Sequence, residues 1–102
     1  MPTYSTKDFE AALERLRFGR DKTHHNMFWY YDGERKTSLR TRTSQGEKEF
    51  NDSMLSMRRK QIGNLSKEQF IALLQGKMTP EEFRQHLIEH DVIQIDEIGG
   101  ST

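Results

Sequence analysis

Apolar positions recur along this chain with two different periods. Phe9, Ala12, Leu13 and Leu16 follow one another at spacings of three, one and three, which places them on one face of a helix. Ser5 or Thr6 can cap that helix, and Gly19 can stop it. Arg15, Arg17 and Arg20 then lie near the negative end of its dipole. The period changes at residues 24–31, His-His-Asn-Met-Phe-Trp-Tyr-Tyr, which are rich in aromatics and poor in strong helix formers. They predict a strand. Asp32-Gly33 predicts a hairpin turn, because both residue types accept positive φ. Residues 36–43, Lys-Thr-Ser-Leu-Arg-Thr-Arg-Thr, predict the return strand, with a short further strand near Lys48–Phe50.

Helical periodicity returns downstream. Asn51 or Asp52 can cap a helix whose apolar side is Met54, Leu55, Met57 and Ile62 and whose end carries Arg58, Arg59 and Lys60. Gly63-Asn64 ends it. Ser66-Lys-Glu-Gln69 is a capping-box pattern before Phe70, Ile71, Leu73 and Leu74, and Gly76 follows as a stop. Thr79-Pro80-Glu81-Glu82 starts a last helix with Phe83, Leu87 and Ile88 inward. Residues 92–98 read as a short strand or an apolar tail. The order is α-β-β-(β)-α-α-α, an α+β domain, with the 102 residues forming one domain.

Strand alternation sorts the hairpin residues. His25, Met27, Trp29 and Tyr31 share one face, and His24, Asn26, Phe28 and Tyr30 the other. On the return strand Leu39, Thr41 and Thr43 are expected to face the core, leaving Ser38, Arg40 and Arg42 outward. Only one of the two histidines can then lie on an open face.

Composition adds limits. With 32% hydrophobic and 31% charged residues, the chain can build one modest core. It has no cysteine, so disulfides, thiolate zinc sites and thiol catalysis are excluded. No segment has the apolar length of a membrane span and the N-terminus lacks a signal-peptide core, so a cytoplasmic protein without a membrane partner is expected. Net charge is zero but uneven: residues 1–62 carry 13 Lys/Arg against 9 Asp/Glu, and residues 63–102 carry 3 against 7. The basic half suits nucleic acid or an ordinary mixed surface.

Three clusters bear on chemistry. An imidazole at His24 or His25, beside the outward Arg40 and Arg42, has the parts to cleave RNA. Imidazole exchanges protons near neutral pH and can take one from a ribose 2′-hydroxyl, while arginine holds the phosphate. The bland alternative is a histidine hydrogen-bonded inside the fold. His86-Leu-Ile-Glu-His90 has the spacing of an inverted zinc-peptidase motif, but a third ligand belongs well downstream and 12 residues follow. A partly packed helix face is expected there, with no metal and no cofactor. Arg58 and Arg59 suit a helix C-terminus, with phosphate contact as an added role.

These patterns resemble the HicA toxins, small ribonucleases with a double-stranded-RNA-binding-like fold. The resemblance rests on Arg17-Phe18-Gly19 leading to Lys22-Thr23-His24-His25, on the hairpin with its strand 37–43, and on Ser53–Gly63 followed by Leu65-Ser66-Lys-Glu-Gln-Phe70. It covers residues 7–74, and residues 75–102 form a C-terminal helical, acidic extension. Lys22-Thr23 stand where the family has Gly-Ser. The resemblance implies an α-β-β-(β)-α sandwich with additional C-terminal helices and metal-independent cleavage of mRNA. His24 would be the catalytic residue and His25 the secondary candidate. Lys22, Arg40, Arg42, Arg58 and Arg59 would bind RNA, and a HicB-like antitoxin would be the partner. The competing reading is a non-catalytic regulator or phage-type inhibitor that docks a protein through Trp29, Tyr30 and Tyr31.

Overall fold

The computed structural model describes residues 3–24, 26–44 and 46–93. Its element order is β1 (Tyr4–Ser5), α1 (Thr6–Arg15), β2 (Phe18–Arg20), β3 (Met27–Asp32), β4 (Arg35–Arg42), β5 (Glu49–Phe50), α2 (Asp52–Gln61), α3 (Lys67–Leu74) and α4 (Pro80–Glu89). This is a small α+β domain with two antiparallel sheets, one ordered β2-β3-β4 and one β1-β5.

The helix starts follow local chemistry. Ser5 Oγ accepts from the Asp8 N–H at the start of α1, and Asn51 Oδ1 from the Met54 N–H at the start of α2. Ser66 with Gln69 and Thr79 with Glu82 each form a complete capping box, and Pro80 opens α4. The hairpin turns where the residues direct it: Asp32 pairs with Arg35, and Gly33 takes φ 68° between them.

Two local differences from the sequence reading have clear causes. Gly19 does not stop α1. The helix ends at Arg15, Arg17 takes the left-handed turn with φ 80°, and Phe18–Arg20 becomes a third strand against β3. A Cβ at Gly19 would lie 2.9 Å from Tyr31 Cε1, so glycine here lets the Tyr31 ring lie across the strand. The short strand at Glu49–Phe50 forms, but it pairs with Tyr4–Ser5 rather than extending the hairpin sheet. Of the expected segment at 92–98, Ile93 is buried and residues 94–98 lie outside the described ones.

One face of the three-stranded sheet carries Phe18, Phe28, Tyr30, Leu39 and Thr41 into the core. Phe9, Leu13, Leu55, Phe70, Phe83 and Leu87 of the helices meet them. Phe9 packs on Phe50 and Phe70, and Phe18 on Tyr30 and Phe83, so two aromatic groups span the helical layer. A bulge interrupts the hairpin between Trp29 and Tyr31. Thr37 fills it: its hydroxyl donates to Tyr30 O at 2.8 Å and accepts from the Leu39 N–H at 3.2 Å. The core alternation of Phe28, Tyr30, Leu39, Thr41 and Thr43 is therefore the expected one, and Met27, Trp29, Tyr31, Arg40 and Arg42 are left on the other face.

Candidate functional site

His24 is not a strand residue. It lies between β2 and β3, outside both strands, and it is exposed. Alternation therefore does not assign its direction. Asp21 orders the loop backbone instead: its Oδ1 accepts from the Thr23 N–H at 2.7 Å and the His24 N–H at 2.9 Å. His24 O in turn accepts from the Met27 N–H at 2.9 Å, at the first residue of β3. Those two amides, His24 first, hold the Asp21 carboxyl below its ordinary range, aided by the indole N–H of Trp29. His25 lies outside the described residues.

The loop is joined to the uncovered sheet face at two points. Trp29 Nε1 donates to Asp21 Oδ2 at 3.2 Å, so one carboxylate holds both the loop backbone and the central aromatic ring. The Thr43 N–H donates to Asn26 O at 2.8 Å, which fastens the loop to the end of β4. Around Trp29 the face is basic. Lys36 Nζ lies 4.2 Å from the ring centroid and Arg40 Cζ 5.3 Å, both within cation–π range. Arg42 stands opposite Met27 at the loop end of the sheet, and Lys22 is exposed on the loop itself. The fold thus puts Arg40 and Lys36 on the Trp29 ring, Arg42 at the loop end of β4, and Lys22 and His24 on the loop that Asp21 ties to Trp29.

Arg58 and Arg59 belong elsewhere. Arg58, expected on the surface of the helix end, is 1% exposed. Its Nη1 and Nη2 donate to both oxygens of Glu47, at 2.6 and 2.9 Å, and its guanidinium lies against the rings of Phe9 and Phe50. The bidentate Arg58 holds the Glu47 carboxyl down to about 2. This corrects the expected phosphate-contact role: Arg58 is a core residue, and Met57, expected inward, is the exposed neighbour at 46%. Arg59 is half-buried and donates to Leu65 O at 2.8 Å, clasping the exit of α2. Both sit on a helix packed under the sheet through Gln61 and Thr41, away from Trp29.

His86 and His90 stack at 4.2 Å between ring centroids on one face of α4. His86 is 7% exposed, and its Nε2 is 2.7 Å from Gly63 O, a bond that ties α4 to the end of α2. Among the described residues no three His, Asp or Glu side chains gather as metal ligands do. Nor is any helix long and apolar enough to cross a membrane.

Sequence reasoning missed Asp21 and Lys36. An aspartate opening a short polar loop is a signal for the Asx turn that Asp21 makes. Lys36 was legible only as a strand residue, because the bulge decides which ring it covers. Comparison with protein-family models, curated proteins and solved structures gives no match for this chain.

Proposed function

We propose that this chain is an RNA-binding, HicA-like protein that cleaves RNA without a metal. One observation carries the reading: a single carboxylate, Asp21, holds both the His24 loop and the ring of Trp29, on whose face Lys36 and Arg40 lie. That tie between the exposed His24 loop and a basic, aromatic sheet face is what supports the reading. In the proposed step His24 takes the proton of a ribose 2′-hydroxyl. The freed oxygen bonds to the neighbouring phosphorus, giving a 2′,3′-cyclic phosphate, as the P–O5′ bond breaks and the leaving 5′-oxygen takes a proton from water. Arg42, with Arg40 and Lys22, neutralises charge building on the phosphate. Arg58 and Arg59 drop out as RNA contacts for the reasons above.

The run α1-β2-β3-β4-α2, with its antiparallel sheet in sequence order, supports a double-stranded-RNA-binding-like core. A HicB-like protein is the partner this reading implies. Docking through bare aromatic rings is less favoured, because Tyr30 is 1% exposed and Trp29 lies against two cations.

The test is the salt dependence of RNA affinity. Each arginine that contacts a single strand adds about 0.7 to the slope of log affinity against log salt. Arg40→Ala with Arg42→Ala is expected to lower the slope by about 1.4. A slope that stays unchanged removes the sheet face from the RNA site.

A further inference from the structure

β4 is the outer strand of its sheet, and the order β2-β3-β4 leaves one long side of it without a strand partner among the described residues. The ladder tells which groups line that side. Arg42 stands opposite Met27 and Thr41 opposite Phe28, and the Thr43 N–H reaches Asn26 O at 2.8 Å. In an antiparallel pair, successive residues turn their N–H and C=O alternately toward and away from the partner strand. Thr41 and Thr43 thus face β3, and the backbone groups of Arg40 and Arg42 face outward. Met27 agrees with this phase: it stands opposite Arg42 and turns its own N–H and C=O to His24 O and the Asp21 N–H, on the far side of β3.

A groove of about 440 Å³ follows the same edge. The five consecutive residues 38–42 line it, together with Met27 of β3 and Gln61 at the end of α2. Side chains of consecutive strand residues point to opposite faces. They can share one groove only where it wraps the free edge of the strand.

We propose that this edge is a docking site for an extended acidic segment of a partner protein, which adds to the sheet as a fourth strand beside β4. The outward N–H and C=O groups of Arg40 and Arg42 supply the ladder bonds. Their guanidinium groups, both exposed, select Asp or Glu at alternate positions of the added strand. Leu39 and Gln61 border the other side and receive the intervening small side chains. Pairing with a neutral strand would take water from the arginines without compensation, whereas an acidic strand compensates that cost with opposite charge. A second copy of this chain fits worse, because antiparallel pairing of β4 with itself sets Arg40 and Arg42 among like charges. The proposal rests on the backbone edge and stands whether or not the sheet face cleaves RNA.

The test is amide exchange by NMR on the full chain, titrated with a short peptide of alternating threonine and glutamate. The expected result is slowed exchange at the Arg40 and Arg42 N–H groups. Binding should weaken about tenfold with Arg40→Glu and Arg42→Glu. It should be lost when the peptide's alternate amides are N-methylated. Equal binding by the methylated peptide, or no added protection at Arg40 and Arg42, overturns strand addition. So does protection of these amides that grows with protein concentration alone, which assigns the edge to a second copy. Protection produced by a single-stranded RNA and not by the peptide overturns it in favour of nucleic acid.

Discussion

Trp29 and Asp21 are eight residues apart in sequence and joined by one hydrogen bond, from the indole Nε1 to Oδ2 at 3.2 Å. The other carboxylate oxygen holds the backbone of Thr23 and His24. This one side chain therefore couples the sheet face to the loop that carries the candidate catalytic imidazole.

Replacing that carboxylate should loosen the loop and leave the fold intact. Asp21→Ala removes the acceptor for the Thr23 and His24 amides and for the indole. Amide exchange at Thr23 and His24 is expected to speed up, and Trp29 fluorescence to shift. Stability should change by no more than about 1 kcal/mol, as for the loss of a capping side chain. RNA cleavage should fall while RNA affinity changes little, because Asp21 positions His24 and does not itself meet the phosphate.

Arg58 should behave as a core residue. Its removal takes the bidentate cation from Glu47 and the guanidinium from the Phe9 and Phe50 rings, and breaking one side of a largely buried pair costs about 3–5 kcal/mol. Arg58→Ala is expected to lower the urea midpoint by a corresponding amount. Arg58→Met combined with Glu47→Leu should recover much of the loss, since Arg58 Nε, a buried atom without a hydrogen-bond partner among the described residues, goes with the pair.

Acid should undo the same pair. Glu47 is held at about 2, below its ordinary value of 4.5, so the unfolded chain binds the proton more readily than the folded one. The resulting stabilisation is fully present above about pH 4.5 and is lost as pH falls toward 2. The loss should be roughly 2 kcal/mol, below the full value of the shift because Glu47 still borders solvent. Urea denaturation at pH 6 and pH 2.5 checks it, with Glu47→Gln expected to flatten the Glu47 part of the dependence.

At Gly19 a methyl group should act on the site through Tyr31. The Cβ would stand 2.9 Å from Tyr31 Cε1, so Gly19→Ala turns the ring or parts the strands. A destabilisation of about 1 kcal/mol is expected, with altered ring-proton shifts for Tyr31 by NMR.

Much of this fold was legible because its signals are local. Ser66, Thr79 and Asp32-Gly33 act on neighbours within a few residues, and they mark the helix starts and the hairpin turn where the chain places them. Strand alternation likewise separated Phe28, Tyr30 and Leu39 from Trp29 and Arg40. The rest depended on distant partners. Gly19 reads as a helix stop until Trp29 is seen opposite it. Arg58 reads as a surface cation until Glu47, 11 residues upstream, is seen against it. His24 reads as a strand residue because its aromatic neighbours are strand-like. The Asx turn of Asp21 holds it in the loop instead.

The most direct test of the RNA reading is cleavage of a single-stranded RNA in excess EDTA by the parent chain and by His24→Ala, with His25→Ala beside them. The expected result is metal-free cutting by the parent and a fall of about a hundredfold or more with His24→Ala, the scale of a lost general acid–base group. His25→Ala is expected to keep most of the activity. Cutting by His24→Ala at the rate of the parent, or no cutting by the parent, contradicts the account.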